Sequence, residues 1–326
     1  MISVRISGSL IRGVENTEQV NSLESLIDWC AFTVPDRKAL EAVLTVIGIA
    51  FQEFVPMPQG RLGYRVQKRC GQIWVLSDGK PEMGMHVEMS GQGCRQFDAS
   101  SGRWRELISN ILDVGGHFTR IDIAIDDRQG CFPLAKAKQK LIRREVRTRF
   151  RSGREITGVR FNDKLGNGGC TLYFGSAKSD IKIRIYDKAA EQRVTFPWIR
   201  VEAECRGKHA TILAHHILKS DNLGEIVAGI LKNYLTFVEP TSDRNKARWP
   251  VSPWWDAFLG SVKKLPLTIK KKERKIQGVE AFLFNQVAPS LALWLKLNGG
   301  DLSCLTKLIS CGEKRLKPYH LDMLKE

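Results

Sequence analysis

The stretch Arg120-Ile-Asp-Ile-Ala-Ile-Asp-Asp127 places an isoleucine at every second position, with polar or small side chains between. A strand with one covered face reads this way, because successive side chains point to opposite sides. Ile121, Ile123 and Ile125 then face a core, and Asp122, Ala124 and Asp126 face away from it. Two later stretches repeat the pattern. In Lys182-Ile-Arg-Ile-Tyr-Asp-Lys188, Ile183 and Ile185 point inward, leaving Arg184, Tyr186 and Lys188 on the open side. In Arg200-Val-Glu-Ala-Glu-Cys-Arg206, Val201, Ala203 and Cys205 point inward, leaving Arg200, Glu202, Glu204 and Arg206 outside. Strands buried on both faces carry continuous apolar runs, so alternation predicts an antiparallel sheet with helices on one face, an α+β fold.

Working outward, the elements come in two similar series. The first has a strand over Ile27–Pro35 and a helix over Arg37–Ile47, with apolar residues at helical spacing. Short strands follow at Tyr64–Arg69, Ile73–Ser77 and Met85–Ser90, punctuated by Gly71, Gly79, Gly91 and Gly93, before a helix over Trp104–Val114. The second has a strand from His117, a Lys/Arg-rich helix over Leu134–Val146, and strands at Val159–Phe161, Thr171–Gly175, Ile181–Lys188 and Ile199–Arg206. Helical spacing returns over Ala210–Lys219 and Gly224–Phe237. The last strands of the two series are alike, Met85-His-Val-Glu-Met-Ser-Gly-Gln-Gly93 against Ile199-Arg-Val-Glu-Ala-Glu-Cys-Arg-Gly207. The pattern predicts two copies of a β-α-β-β-β-α unit. The boundaries read as a 1–26 extension, halves at 27–116 and 117–240, and a basic helical region at 241–326.

Lys and Arg total 51 against 35 Asp and Glu, a net charge of +16 over 326 residues. That surplus points to a polyanionic partner, above all nucleic acid, because phosphate contacts release counterions. The 43% hydrophobic content supports a core and excludes general disorder. No apolar run reaches the roughly 18–20 residues of a membrane span, and no secretory signal opens the chain. The eight scattered cysteines contain no Cys-x-x-Cys pair, which suits reduced thiols in a cytoplasmic protein.

If the three alternating strands are neighbours, their open face gathers Asp122, Asp126, Glu202 and Glu204 with a tyrosine and several cations. Clustered carboxylates repel unless neutralised, and on a basic protein a hard divalent cation such as Mg²⁺ or Mn²⁺ does so. Metal beside tyrosine suits phosphoryl transfer: the metal polarises the phosphate, Tyr186 attacks, and Arg184 and Lys188 stabilise charge and favour the phenolate. Tyr173 is the competing nucleophile. The plainer alternative is a solvated face of cross-strand salt bridges. There is no His-hydrophobic-His pair for a histidine-held metal and no phosphate-binding loop for a nucleotide-driven motor. Tandem RNA-binding modules would expose aromatics where these strands carry carboxylates.

These residues resemble the replication initiation factor family, the rolling-circle initiators of small plasmids and filamentous phages, related to relaxases of some integrative elements. The likeness lies in Phe118–Asp127, Thr171–Asp180, Ile183–Lys188 with Glu191, and Arg200–Glu204. Met85–Gln96 and Asn245-Lys-Ala-Arg-Trp-Pro-Val-Ser-Pro-Trp-Trp255 are similar to the phage branch. The resemblance implies a saddle-like duplicated sheet and a metal-dependent nickase joined through tyrosine to the 5′ phosphate. Tyr186 falls at the nucleophile position, and Asp122, Glu202 and Glu204 at acidic positions. Asp126 and Lys188 match the motif without an assigned role, and a single motif tyrosine offers no two-tyrosine shuttle.

Basic residues concentrate in Lys136, Lys140, Arg143, Arg144 and Arg147 and again in Lys270, Lys271 and Lys272. The two runs together suggest a rim that grips DNA phosphates. Expected partners are origin DNA, presented as a hairpin or single-stranded nick site, a host helicase and polymerase, and a second copy of the chain. A non-catalytic origin-binding protein or repressor, using the same basic saddle, is the alternative function.

Overall fold

The computed structural model describes residues 23–159, 161, 167–260, 265–267, 280 and 283–316. The first series comprises β1 (Glu24–Val34), α1 (Arg37–Ile47), β2 (Val55–Pro56), β3 (Val66–Cys70), β4 (Ile73–Ser77), β5 (Met85–Met89), α2 (Gly91–Ser100) and α3 (Trp104–Asp113). The second begins with β6 (His117–Asp127), α4 (Leu134–Ile142), β7 (Val146–Thr148), β8 (Gly153–Val159) and β9 (Asn167–Phe174). It continues with β10 (Ile181–Asp187), α5 (Lys188–Gln192), β11 (Ile199–Arg206), α6 (Lys208–Lys219), α7 (Leu223–Tyr234), β12 (Leu235–Phe237) and α8 (Pro253–Leu259).

Ten strands form one antiparallel sheet in the order β2-β3-β4-β5-β1-β6-β11-β10-β9-β8, while β7 pairs with β12 apart from it. The order is the same read outward from the centre. β1 and β6, the first strands of the two series, pair with each other. Beside β1 come β5, β4 and β3, and beside β6 come β11, β10 and β9. This is the duplicated α+β arrangement that the alternating pattern predicts.

The inward residues of β6, β10 and β11 join Phe32, Val75 and Val87 in one cluster with Leu44, Ile108, Leu213 and Ile230 from the helices. Ile121, Ile123, Ile183, Val201 and Ala203 are all buried. Each such isoleucine contributes about 1.5–3 kcal/mol by leaving water. Local signals set the helix ends: the Asp36 side chain caps α1, and Gly48, at φ 81°, closes it.

Local expectations change at several places. Gly91 and Gly93 open helix α2 instead of merely marking turns, with Ser90 capping the Gly93 N–H. Helix α4 stops at Ile142, because Arg144 turns the chain at φ 58° and Val146 enters β7. Lys188 starts α5 instead of ending a strand, since the Asp187 side chain accepts from the Ala190 N–H as an N-cap.

The chain divides into two compact units, Met1–Ile269 and Lys270–Glu326. The latter contains helices Ala288–Leu297 and Ser303–Glu313. No helix among the described residues is long and apolar enough to cross a membrane.

Candidate active site

Strands β6, β11 and β10 are neighbours, so their polar residues share one face. Across β6 and β11 the register pairs Asp122 with Glu204, Ala124 with Glu202 and Asp126 with Arg200. Across β11 and β10 it pairs Glu204 with Lys182, Glu202 with Arg184 and Arg200 with Tyr186. Glu202 therefore lies diagonally between Asp122 and Tyr186, and Tyr186 Oη donates to Glu202 Oε2 at 3.4 Å.

Every carboxylate also meets a cation. Arg120 Nε donates to Asp122 Oδ1 at 2.8 Å, Arg184 Nη2 bonds Glu202 Oε1, and Lys182 Nζ lies 2.6 Å from Glu204 Oε1. Arg206 adds a bond to Glu204, and Arg200 holds Asp126 by two bonds of 2.6 Å. Charge-assisted pairs of this kind are the stronger hydrogen bonds. Among the described residues, no group of three or more His, Cys, Asp or Glu is arranged to enclose an ion.

Asp122 and Glu202 are almost wholly buried, at 1% and 0% exposure. Burial pushes the Asp122 carboxyl well above the usual range, Arg120 opposes this, and the adjoining Glu202 raises it further. Tyr186 departs from expectation. Burial drives its phenol up, and Glu202 adds to the rise against the opposing charge of Arg200. Desolvation outweighs the neighbouring cations, so the hydroxyl keeps its proton here instead of being poised as a phenolate.

The sequence reading missed Asp28. Between β1 and β6 the register slips, with Ile27 opposite Ile123 but Trp29 opposite Asp122, so Asp28 is the extra residue of a β-bulge. Its Oδ1 lies 2.5 Å from Arg200 Nη1. Burial raises its carboxyl, Arg200 opposes this and Glu202 adds to it. Trp29 was missed for the same reason, and Arg120 stacks 4.4 Å above its ring. A bulge leaves no mark in residue alternation beyond one broken step, here from Ile27 to Cys30, successive core residues of β1 that stand three apart instead of two. Asp28, Asp122, Asp126, Arg184, Tyr186 and Arg200 line a cleft of about 350 Å³ to which both series contribute. Lys188 lies at its wall, its Nζ 5.5 Å from the Tyr186 ring and paired with Glu191.

The basic residues are dispersed over three elements instead of lining one helix. Lys136, Arg143 and Arg144 are exposed, while Arg147 sits on β7 and donates to the Ala247 carbonyl at 2.8 Å. Lys140 is buried and donates to Glu145, Glu239 and the Val238 carbonyl at 2.7–3.0 Å. Its three N–H groups are thus all spent, which withdraws it from the phosphate-gripping set. Lys270, Lys271 and Lys272 lie outside the described residues.

Known proteins of the same layout can now be compared. Residues 116–309, more than half of the chain, match the family described as replication initiation factor. The chain belongs to that family. In this initiation factor, residues 24–109 additionally match the N-terminal domain of rolling-circle replication initiation proteins, so each half of the central sheet has its own counterpart. A solved structure of a rolling-circle replication initiator protein from Geobacillus stearothermophilus is 34% identical, with a TM-score of 0.68, covering 77% of this chain and 100% of that one. "Putative DNA relaxase NicK" of Bacillus subtilis (strain 168) is 28% identical over 330 residues, 95% of this chain and 94% of the relative.

Proposed function

We propose that this initiation factor starts rolling-circle replication by nicking the origin strand, with Tyr186 as nucleophile and Mg²⁺ or Mn²⁺ bound at Asp122 and Glu202. The observation that carries the reading is the hydrogen bond from Tyr186, which lines the cleft, to the buried Glu202. A phenol kept protonated by burial needs a base in reach to attack a phosphate. Glu202 occupies that place. Oη attacks the scissile phosphorus, the Oη–P bond forms as the P–O3′ bond breaks, and the phenol proton passes to Glu202. The departing 3′ oxygen takes a proton from water and becomes a free hydroxyl for a host polymerase to extend, with a host helicase opening the duplex. Arg184 and Lys188 supply positive charge beside the attacked phosphate.

The donor chemistry fits the metal. Asp122 and Glu202 are hard oxygen donors within hydrogen-bond reach of each other; burial first, and then the neighbouring Glu202, raise the Asp122 carboxyl. Mg²⁺ is ordinarily held by one or two carboxylates together with substrate phosphates, so two donors suffice. Bound there, the cation would polarise the scissile phosphate and offset its developing charge. Glu204 and Asp126 are assigned instead to holding Lys182, Arg206 and Arg200 in place.

That same saturation of the carboxylates favours a second reading, origin binding without cleavage. The experiment is incubation with supercoiled origin DNA, with Mg²⁺ or with EDTA, then digestion of the denatured adduct by nuclease and trypsin. A modified Ile185–Lys188 peptide that needs the cation supports the nickase, whereas retarded but unbroken DNA supports the binder. Loss of the adduct in Tyr186→Phe with origin binding retained completes the case, and wild-type adduct from that variant refutes it.

A further inference from the structure

We propose that Asp28 is a positioning residue for nicking: through the bulge in β1, the first half of the protein fixes the Arg200 guanidinium opposite Tyr186. The inference rests on Tyr186 being the nucleophile. Arg200 is 4% exposed and lies across from Tyr186 in the β10–β11 register. Asp126 already satisfies its charge with two bonds, through Nε and Nη2. Asp28 takes the remaining nitrogen, Nη1, at 2.5 Å. A second buried carboxylate adds a desolvation cost that charge balance alone does not require. What it adds is geometry, since a planar fork held on three nitrogens from two strands cannot rotate or slide.

The first half is built to hold Asp28 in place. Arg95 Nη2 donates to the Ile27 carbonyl at 2.6 Å, tying helix α2 to the residue before the bulge. At the start of that helix, a Cβ on Gly91 would stand 3.0 Å from Asp28 Oδ1 and 3.3 Å from its carbonyl oxygen. Both contacts would be tighter than ordinary van der Waals contact, so the Asp28 segment would have to give by a few tenths of an ångström, a shift that glycine avoids. Arg95, Gly91, Asp28 and Arg200 thus form a connected path from one half to the nucleophile of the other. Surrounding partners that orient a reactive group typically change activity without contacting the substrate.

The test uses the full chain and measures two quantities: the single-turnover rate of adduct formation at saturating DNA, and the dissociation constant for an uncleavable origin oligonucleotide. Asp28→Asn should slow the rate by about 10–100-fold, the range for such orienting partners, and leave the dissociation constant unchanged. In an Arg200→Lys background, where the fork no longer exists, the same change should cost little further rate. Gly91→Ala, which crowds Asp28 by a few tenths of an ångström while altering no charge, should slow the rate in the same direction. A wild-type rate in Asp28→Asn, equal losses in both backgrounds, or a loss confined to binding would each overturn the proposal. Adduct formation by Tyr186→Phe would instead refute the nucleophile and leave a separate, recognisable result.

Discussion

Changing Glu202 to Gln separates the two acidic residues that alternation makes look equivalent. Glu202 and Glu204 are two apart on β11 and share a face, but only Glu202 contacts Tyr186 Oη. Gln keeps the volume and an acceptor for Arg184, and it removes the charge that takes the phenol proton. Loss of a positioned proton acceptor costs about 10²–10⁴ in rate. Stability moves far less. Arg184 loses a charged partner, worth about 1.5–3 kcal/mol for a buried charge-assisted bond, and its side chain is 32% exposed, so water recovers part of that. Asp122 meanwhile loses a like-charged neighbour. The net change should stay within about 1 kcal/mol, or roughly 2–4 °C in Tm for a chain of this size. The assay is rapid quenching on a 3′-labelled oligonucleotide spanning the nick, with the covalent adduct resolved by denaturing electrophoresis. A Glu202→Gln adduct rate near wild type would refute the reasoning. So would Glu204→Gln losing as much rate as Glu202→Gln.

Other outcomes follow from the same geometry. Lys182, Arg120 and Arg206 hold the Glu204 carboxyl below its usual value despite burial, so its stabilisation is present above the unfolded carboxyl range and lost as pH falls through the folded value. Thermal melts should therefore show Glu204→Gln destabilised at pH 7, by about 1–2 kcal/mol, with the gap closing in acid. Asp122 has the opposite sign: its raised carboxyl costs stability as pH rises above the unfolded value. Asp122→Asn without metal should accordingly gain on wild type as pH rises above the unfolded carboxyl range, and a gap that shrinks with rising pH would contradict the assigned burial. Neutralising Lys136, Arg143 and Arg144 together should flatten the plot of log K for DNA against log salt by up to about 3. Lys140→Met should lower Tm and leave that slope unchanged, and a changed slope would return Lys140 to the DNA contacts.

The legible part of this protein is what local alternation controls. On β6, β10 and β11 a half-covered strand must place apolar residues on every second position, so Tyr186, Glu202 and Asp122 could be assigned to a single face from spacing alone. The helix over α1 could be read equally well, because capping by Asp36 and the left-handed Gly48 are local devices. The end of α4 was less legible. Arg144 in a left-handed turn is a costly choice for a residue with a Cβ, and nothing in Leu134–Val146 announces it.

Sequence by itself determined the α+β class, the repeated order of elements and the polar face that gathers acids, cations and a tyrosine. All of these rest on periodicity and composition, which neighbouring residues set. Only the tertiary structure decided which of those residues touch. It singled out Glu202 over Glu204 as the partner of Tyr186, brought Asp28 from a strand over 150 residues away onto Arg200, and paired Lys140 with acids instead of leaving it for DNA. It also reversed the expected state of the Tyr186 phenol, because desolvation depends on everything packed around a group and flanking cations on one strand do not reveal it. Strand register, bulges and burial arise from contacts between distant parts of the chain, so no local pattern could encode them.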